Sequence, residues 1–301
     1  MTRRLLLDTS SLMYRAYFAL PDSIRDARGR PVNAVHGYLD MTARLIRNRE
    51  PRGLVHVYDA DWRPAFRVEA YEGYKANRLG QEEPDDLGPQ FEILEEVLEA
   101  VGMERGWSRG WEAEDAIGSL CAGARGRTRL EIVTGDRDLI QLVRDPKVRL
   151  LFTRRGVSEL DVLDEAAVAE RYGVPADRYA EFAILRGDPS DGLPGVRGVG
   201  EKTARALIAA YPSLDALVED ATSERRSQAI LQRSPALRAR IADHVGYIRA
   251  MQTVVPIRTD LEVEVWRGQR DDAALERLAR RLKLAGPIRR LRDVLDGTSR
   301  A

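Results

Sequence analysis

GLVHVYD, residues 53–59, is a short apolar run that ends in an aspartate, and it determines how the first half of the chain is interpreted. Three other apolar runs have a similar character: RLLLD (4–8), LEIVTGD (130–136) and VRLLFT (148–153). Between them, apolar residues recur at helical spacing around 10–19, 34–48, 88–101 and 112–124. Strands that alternate with helices predict an α/β fold with a central, mostly parallel sheet flanked by helices.

The second half of the chain has a different pattern. From about residue 160 onward the apolar spacing is helical almost throughout: 164–172, 176–185, 200–210, 213–220, 235–251 and 271–284. We therefore expect an α/β domain over residues 1–165 and a smaller helical region over residues 166–301. No internal repeat or low-complexity linker separates the two, and the final residues GTSRA are expected to fray.

Composition argues against several classes of protein. No run of about 18 apolar residues is present, so the sequence predicts no membrane span. The N-terminal MTRRLLLDTSS has a short apolar stretch without a small-residue cleavage site, which favours a first strand over a signal peptide. One cysteine, Cys121, excludes an internal disulfide, and three scattered histidines argue against zinc, so we expect a protein of the reducing cytoplasm.

The charges balance, with 48 basic and 48 acidic residues. This balance neither favours nor excludes a nucleic-acid partner, because the two signs can occupy different surfaces. Only four of the basic residues are lysines, at positions 75, 147, 202 and 283. We attribute the excess of arginine to a GC-rich genome, which disfavours lysine codons, and this makes each remaining lysine more noticeable.

Acidic side chains follow the predicted strands at their carboxyl ends, where parallel α/β sheets gather their ligands. Others lie at a helix start in WEAEDAIGSL and on a turn in GDPSDG. Singly, each has an ordinary explanation as a helix cap, a first-turn acid or a turn residue. Together they number nine: Asp8, Asp59, Glu112, Glu114, Asp115, Asp136, Asp138, Asp188 and Asp191.

Nine carboxylates at one sheet edge would repel one another and raise one another's pKa values unless cations lie between them. Oxygen ligands without cysteine or histidine nearby favour Mg²⁺ or Mn²⁺. Several acids, rather than two, indicate a pair of metals that holds a phosphodiester in line. The acids therefore predict a two-metal site for a phosphodiester.

A basic, aromatic stripe is predicted in WRPAFRVEAYEGYKANR, residues 62–78. If the segment is helical, its spacing places five side chains on one face: Arg63, Arg67, Tyr71, Lys75 and Arg78. The alternative is a solvated face with Glu69 and Glu72 beside it. Because lysine is rare in this chain, the lysine at position 75 favours a functional basic stripe over a merely solvated face. The following LGQEEPDDLGP (79–89) is too polar for a core and is expected to form a mobile loop.

The stretch GDPSDGLPGVRGVGEKTARAL, residues 187–207, places acids beside a glycine-rich turn. Its glycines leave backbone amides bare in front of a helix, which suits a phosphate. A P-loop is disfavoured because Glu201, not lysine, follows the second glycine and no strand leads in. A grip on DNA backbone fits instead, formed by Gly195, Gly198, Gly200, Lys202, Thr203 and Arg205.

These motifs together closely resemble the bacterial 5′–3′ exonuclease family, the flap endonucleases that also form the N-terminal domain of DNA polymerase I. The resemblance runs from about residue 4 to 293 and rests on LLLDTSSLMYRAYFAL, VYDADWRPAFR, YKANR, EAED, TGDRDLIQL and GDPSDGLPGVRGVGEKTA. It implies a PIN-like catalytic domain over 1–165 with a helical arch about 63–90. It also implies a helix–three-turn–helix element about 180–212. Because 301 residues hold only the nuclease part, we expect a stand-alone member without a fused polymerase.

The resemblance also implies roles for the named residues. The nine carboxylates would hold two or more Mg²⁺ or Mn²⁺ ions, Lys75 and Arg78 would contact the scissile phosphate, and K⁺ would assist the helix–three-turn–helix. The implied activity is 5′–3′ exonuclease and 5′-flap endonuclease cleavage of DNA, leaving 5′-phosphate and 3′-hydroxyl ends, in replication and repair. The implied partner is a duplex with a 5′ end, flap or junction, or an RNA–DNA hybrid, bound by a monomer at the nucleoid.

Three residues depart from the family's usual pattern. Thr9 follows the first aspartate where glycine is usual, Glu114 replaces a common aspartate, and Gly192 stands where asparagine is frequent. None of these changes removes a carboxylate, so they affect the detailed geometry of the metal site and not the metal-dependent chemistry. Two alternatives remain: a DNA-binding protein with a dead nuclease site, disfavoured because all nine acids are present, and a PIN-type ribonuclease, disfavoured because those domains are shorter and lack the helix–three-turn–helix half.

Overall fold

The structure is a computed structural model of the chain, and it describes residues 2–80, 84, 86–223 and 228–298. Within these residues the strands form one seven-stranded sheet. They are β1 Thr2–Asp8, β2 Gly53–Val57, β3 Glu104–Trp107, β4 Thr128–Thr134, β5 Val148–Arg155, β6 Glu159–Leu163 and β7 Glu264–Arg267. Their order in space is β6-β5-β4-β1-β2-β3-β7.

The sheet is parallel in its centre and antiparallel at both edges. β5, β4, β1, β2 and β3 pair in parallel, whereas β6 and β7 run antiparallel to their neighbours. The predicted α/β fold with a mostly parallel sheet is therefore confirmed, and each predicted apolar run forms a strand. The sequence does not predict β3, β6 and β7, because these short strands at or beside the sheet edges carry charged residues instead of a continuous apolar run.

Helices cover both faces of the sheet. In the first half they are α1 Thr9–Ala19, α2 Asn33–Arg49, α3 Ala65–Ala70, α4 Gly88–Val101 and α5 Ala113–Gly123. In the second half they are α6 Glu165–Tyr172, α7 Tyr179–Arg186, α8 Glu201–Ala210, α9 Leu214–Thr222, α10 Ala229–Gln232, α11 Pro235–Asp243, α12 Val245–Val254, α13 Asp272–Leu282 and α14 Ala285–Thr298. Of the tail expected to fray, residues 297 and 298 continue α14, and residues 299–301 lie outside the described part. Among the described helices, none is long and apolar enough to span a bilayer.

Alternate residues of the central strands divide the core between the two faces of the sheet. Leu6 and Val55 pack with the core of helices α5 to α12, whereas α13 and α14 pack in the other core. Leu5 and Leu7 pack on the opposite face with the core of α1, α2 and α4. This two-residue period is what a strand buried on both faces requires, and it brings the helical second half directly against the sheet.

The segment 62–78 is not the single helix that the predicted stripe requires. α3 ends at Ala70, Tyr71 is extended, and Lys75 has a φ of +50° before a short 3₁₀ helix, Ala76–Arg78. Gly73 disfavours a continuous helix because glycine has the most backbone freedom to lose, and in this tight turn a Cβ at that position would lie 2.5 Å from the Tyr71 ring. The arch predicted at 63–90 thus contains two short helices before α4. Residues 81–83 and 85 of the predicted mobile loop lie outside the described residues.

A chain of buried polar side chains lies below the carboxyl edge of the sheet. Tyr38 Oη is 2.6 Å from His56 Nδ1 and 3.3 Å from Thr9 Oγ1, and all three side chains are fully buried. Burial, with Arg105 nearby, lowers the pKa of His56 to about 3. The imidazole is therefore neutral in the folded protein at ordinary pH.

We predict that His56 makes the folded protein sensitive to mild acid. Its pKa is lower in the folded state than the ordinary 6.5, so its contribution to stability is complete above that pH and is lost as the pH falls toward 3. Between about pH 6.5 and about pH 5 the free energy of unfolding should fall by about 2 kcal/mol from this group. Urea denaturation at both pH values should show that the free energy of unfolding falls less in His56→Val than in the wild type. Equal losses in the two proteins would contradict the prediction.

Candidate active site

The carboxyl ends of β1, β2 and β4 place three acids side by side. β1 lies between β2 and β4, and Asp8, Asp59 and Asp136 lie at or just after the ends of these strands. Asp8 also caps α1, and its carboxylate accepts hydrogen bonds from the Ser11 amide (3.2 Å) and the Thr134 hydroxyl (2.6 Å). The Asp8 side chain is thereby fixed at the centre of this edge.

The start of α5 adds three more acids to the edge. One oxygen from each of Glu112, Glu114 and Asp115 lies within 4.8 Å of the others. The same helix start holds Asp59, whose carboxylate accepts a hydrogen bond from the Ala113 amide at 2.7 Å. The acids of α5 and those of the strand ends therefore form one cluster.

The turn between α7 and α8 brings the last acids to this edge. Asp188 precedes a short 3₁₀ helix, Pro189–Asp191, and Asp191 ends it. Burial raises the pKa of Asp138, and the charges of Asp136, Asp191 and Asp188 raise it further. Acids that are far apart in the sequence are thus close enough to act on one another, and the structure brings all nine predicted ligands to one edge of the sheet.

The electrostatics of the cluster fit a divalent cation. Burial, followed by the charges of Asp59 and Asp136, raises the pKa of Asp8 to about 7. Burial also raises the pKa values of Asp59 and Glu114. A cation between such carboxylates stabilises their anionic form, and an oxygen-only donor set suits a hard ion of the Mg²⁺ or Mn²⁺ class.

Arg67 is the fully buried counter-ion of the α5 acids. Its two Nη atoms donate to Asp115, each at 2.8 Å, and they also pair with Glu112 and, at 3.0 Å, with Glu114. Its Nε donates to the Val254 carbonyl at the end of α12, at 2.9 Å. The prediction that Arg67 faces DNA is therefore wrong. α3 packs against α12, and this side chain points into the cluster, where burial among three carboxylates leaves no access for a substrate.

Lys75 lies within the cluster, with 8% of its surface exposed. Its ammonium donates to Glu112, and the Tyr74 hydroxyl donates to the same carboxylate at 2.7 Å. Burial alone would lower the pKa of Lys75, but the charges of Glu112 and Asp191 raise it above its ordinary value, so the side chain stays protonated. Arg78 is more exposed and donates to Asp191 at 2.6 Å.

Arg63 and Tyr71 stabilise the turn that carries Lys75. Arg63 Nε and Nη2 donate to two backbone carbonyl oxygens of this turn, each at 2.7 Å. The Tyr71 ring packs edge-on against Tyr247, with 6.1 Å between the ring centroids. Of the five residues of the predicted stripe, Lys75 and Arg78 are therefore the two cations that reach the acids from the side open to the cavity described below.

The glycine turn connects α7 to α8 with tight backbone contacts. Gly195 and Gly198 have φ values of +71° and +75°. A Cβ on Gly195 would lie 2.5 Å from the Arg186 carbonyl, which explains why this position requires glycine. The expectation of a bare amide at Gly195 is wrong, because this amide donates to the Tyr247 hydroxyl at 2.9 Å. Close packing of α12 under the turn is the physical reason.

The start of α8 carries the remaining residues of the predicted DNA contact. Gly200 caps the helix in an extended conformation. Lys202 is exposed and Thr203 is half-buried. Arg205 pairs with Glu201 one turn earlier. Gly200, Lys202 and Thr203 thus stand at the N-terminal end of a ten-residue helix, where the helix dipole favours an anion.

A cavity of about 2120 Å³ opens over the cluster. Among the residues that line it are Asp8, Asp59, Lys75, Arg78, Glu112, Glu114, Asp136 and Asp188. Sequence reasoning missed the hydroxyl side chains that orient the acids, since Ser10 donates to Asp59 and Thr134 to Asp8. The role of Ser10 could have been predicted from the run of hydroxyl residues, TSS, that directly follows Asp8 in the sequence.

Two family models match the chain. The 5′-3′ exonuclease, N-terminal resolvase-like domain matches residues 3–173, and the 5′-3′ exonuclease, C-terminal SAM fold matches residues 174–277. A 5′-3′ exonuclease of Streptomyces coelicolor is 44% identical over 306 residues, covering 97% of this chain and 99% of the relative. DNA polymerase I, thermostable, of Thermus aquaticus is 34% identical over 277 residues, covering 92% of this chain and 31% of the polymerase.

Solved structures of nucleases share the fold. Human GEN1 in complex with Holliday junction DNA has a TM-score of 0.67 at 19% identity, covering 99% of this chain and 73% of GEN1. A bacteriophage T5 flap endonuclease complex with DNA and metal ions has a TM-score of 0.65 at 17% identity, covering 99% of both chains. Because the two family models cover most of the chain and the Streptomyces relative nearly all of it, the chain belongs to the 5′–3′ exonuclease family and is a nuclease.

Proposed function

We propose that this nuclease is a divalent-metal-dependent 5′–3′ exonuclease and 5′-flap endonuclease that acts on DNA. The observation that carries the proposal is the position of a protonated Lys75 within nine carboxylates at one sheet edge. Such an acidic surface repels a phosphodiester unless divalent cations neutralise it, and with those cations it becomes a phosphate site. We propose that cleavage leaves a 5′-phosphate and a 3′-hydroxyl.

The nine carboxylates would hold two or more Mg²⁺ or Mn²⁺ ions. Bound metals supply Lewis-acid stabilisation and an activated water for phosphodiester hydrolysis. The chain's own hydrogen bonds restrict the acids: the Thr134 hydroxyl fixes Asp8, and the Ala113 amide fixes Asp59. Outer contacts of this kind orient metal ligands and support their basicity. Arg67 likewise restricts Asp115, since both of its oxygens accept from the guanidinium.

Lys75 and Arg78 are proposed to contact the scissile phosphate. Lys75 approaches the cluster from the turn after α3, and its backbone amide donates to the Asp191 carbonyl at 2.8 Å, which fixes this turn beside the acids. A phosphate held by the acids through metals would therefore meet a positioned ammonium. Arg78 stands on the more open side of the same turn and would contact the phosphate or its neighbour.

The glycine turn is proposed to hold the duplex further along the DNA. Its contacts would be sequence-independent, because they involve backbone amides and cationic side chains rather than base edges. The C-terminal family match and the DNA-bound structural neighbours support this assignment. We propose that K⁺ binds at the turn with the phosphate, and that Gly198, Gly200, Lys202, Thr203 and Arg205 form the DNA contact, whereas the amide of Gly195 is already bound to Tyr247.

Lys202→Ala combined with Arg205→Ala should weaken duplex binding and flatten its salt dependence. Each lost phosphate contact reduces the slope of log K against log salt by about 0.9, so the double variant should lose roughly two units. Fluorescence anisotropy over a salt series measures the slope, and cleavage at saturating DNA should change far less. Arg277→Ala with Arg280→Ala, which removes two exposed arginines of α13, is the matched control. An unchanged slope of log K against log salt would mean that the turn only connects two helices and does not contact DNA.

The relatives support a biological assignment that we propose. We propose that the substrate is a duplex with a 5′ end, a flap or a junction, or an RNA–DNA hybrid, as met in replication and repair. We propose that the protein acts as a monomer in the bacterial cytoplasm, at the nucleoid, since the curated relatives are bacterial 5′–3′ exonucleases and DNA polymerases. We propose a catalytic domain over residues 1–165 and a DNA-binding region within residues 166–301, of which β7, α13 and α14 pack with the sheet and helices of the first half.

The ends of the product test the proposed chemistry. Cleavage of a duplex without a terminal label should give 5′ ends that phosphatase treatment makes available to kinase labelling. The 3′ ends of the internal products should be extended by a polymerase without prior treatment. Products with a 3′-phosphate, which block extension, would contradict the proposed direction of hydrolysis.

A further inference from the structure

Two turns lie in direct contact at the edge of the acidic cluster. One is the Lys75 turn, residues 71–78, which follows α3. The other is the acid turn, residues 188–192, which carries two of the predicted metal ligands. The Lys75 amide donates to the Asp191 carbonyl at 2.8 Å, and a Cβ on Gly192 would lie 2.6 Å from a backbone carbonyl oxygen of the Lys75 turn. The backbones of the two turns are therefore in van der Waals contact.

Lys75 has a backbone conformation that a lysine rarely adopts. Its φ of +50° lies in the left-handed region, where the Cβ is crowded by a neighbouring carbonyl oxygen. Such a conformation persists only where contacts with the surrounding structure hold it in place. Here the Lys75 amide is held by the acid turn, and the Tyr74 carbonyl accepts a hydrogen bond from Arg63. The position of the Lys75 ammonium therefore depends on how firmly the two turns are joined.

The Asn77 side chain joins the two turns. Its Nδ2 donates to the Pro189 carbonyl at 3.1 Å and to the Ser190 carbonyl at 3.3 Å. Both carbonyls belong to the short 3₁₀ helix between the two acids of the acid turn. Asn77 comes two residues after Lys75, so one side chain connects the turn that carries the ammonium to the turn that carries the carboxylates.

Asn77 is not placed to act on the substrate itself. Lys75, Arg78 and Leu79 are among the described residues that line the cavity over the acids, and Asn77 is not. An uncharged amide also contributes less to phosphate binding than the guanidinium of Arg78 beside it. Any effect of Asn77 on the reaction therefore passes through the groups that it holds in position.

We propose that Asn77 is a positioning residue of the nuclease reaction. Its two hydrogen bonds hold the Lys75 turn against the acid turn, so that the ammonium and the carboxylates of the cluster act on the same phosphate. A cation that is already in place raises the rate, because it does not have to be ordered during the reaction. This role rests on the proposed function, in which Lys75 contacts the scissile phosphate, and it adds a residue that itself contacts neither metal nor DNA.

Amide hydrogen exchange without metal or DNA tests whether Asn77 joins the two turns. In Asn77→Ala the Lys75 amide should exchange on the order of tenfold faster, because the loss of two hydrogen bonds makes local opening of the turn easier. Amides of the buried strand β1 should exchange as in the wild type. Asn48→Ala, which removes an exposed asparagine of α2 outside the cavity, is the matched control and should leave the Lys75 amide unaffected. Unchanged exchange at Lys75 in Asn77→Ala would overturn the proposal.

Single-turnover cleavage tests the connection between the joined turns and the reaction. At saturating enzyme, Asn77→Ala should lower the rate on the order of tenfold, while the dissociation constant for the DNA changes by less than about twofold. In the Lys75→Ala background the same substitution should change the rate by less than about twofold, because no ammonium is left to position. Circular dichroism confirms the folding of each variant.

Two kinetic results would overturn the positioning role. An equal tenfold loss in both backgrounds would show that Asn77 acts independently of Lys75. A rate in Asn77→Ala that returns to the wild-type value at saturating enzyme would show that Asn77 contributes only to DNA binding. A wild-type protein that does not cleave would instead refute the proposed function, and the exchange measurement would still decide whether Asn77 joins the two turns.

Discussion

Asparagine in place of Asp136 or Asp188 is expected to abolish cleavage while DNA binding survives or becomes tighter. The amide keeps the size of the carboxylate but loses the charge that holds a divalent cation. The loss should be on the order of 10³-fold or more, because bound metal supplies several kcal/mol of transition-state stabilisation. Affinity should hold because the substitution also removes a negative charge that repels phosphate.

Single-turnover cleavage under saturating Mn²⁺, with metal-free binding measured in parallel, separates these two effects. Asp177→Asn, which removes an exposed aspartate outside the cavity, is the matched control and should cleave like wild type. Retention of half the wild-type rate by Asp136→Asn or Asp188→Asn would contradict the two-metal assignment. Loss of both binding and cleavage would indicate that the substitution had damaged the fold.

Lys75→Ala is expected to lower the single-turnover rate on the order of 10²-fold or more, comparable to about 3 kcal/mol. The ammonium lies within the cluster and remains protonated. During hydrolysis the phosphate gains charge on its non-bridging and leaving oxygens. A fixed cation there stabilises the transition state more than the ground state, which is the condition for raising kcat.

A rate measured at rising enzyme concentration distinguishes this role from simple phosphate binding. If Lys75 contributed only affinity, excess enzyme would restore the full rate of Lys75→Ala, and that result would refute a catalytic role. Lys75→Arg should be partly defective, because a planar guanidinium cannot replace a compact charge beside Glu112. Lys147→Ala, which removes an exposed lysine outside the cavity, should cleave normally.

The acidic cluster could be predicted from the sequence because strand topology fixes where parallel strands end. Asp8, Asp59 and Asp136 follow apolar runs, and any parallel arrangement of those runs brings their carboxyl ends to one edge. The acids of the helix start in WEAEDAIGSL and of the turn in GDPSDG were grouped with them from the sequence pattern, and the family resemblance implied the same nine as metal ligands. Four of the five parallel strands, β1, β2, β4 and β5, were predictable because they are continuous apolar runs.

The environment of Arg67 could not be predicted in the same way. Its spacing in the sequence fits a surface stripe, but the turn at Gly73 breaks the helix on which that stripe depends. The side chain then pairs with acids that lie about 45 residues away in the sequence, as in its contact with Glu112. Helical periodicity in the sequence cannot show such a tertiary contact. For the same reason the sequence did not predict the strand β7, which pairs with β3 although the two are far apart in the chain.

Cleavage of a duplex with a labelled 5′ flap, with and without Mn²⁺, tests the central claim most directly. The purified chain should cut near the junction between flap and duplex when Mn²⁺ or Mg²⁺ is present. It should give no product when the metal is removed by chelation, because nine carboxylates without cations repel the phosphodiester. Cleavage at an undiminished rate in the chelator, or intact flap after prolonged incubation with either metal, would contradict the account.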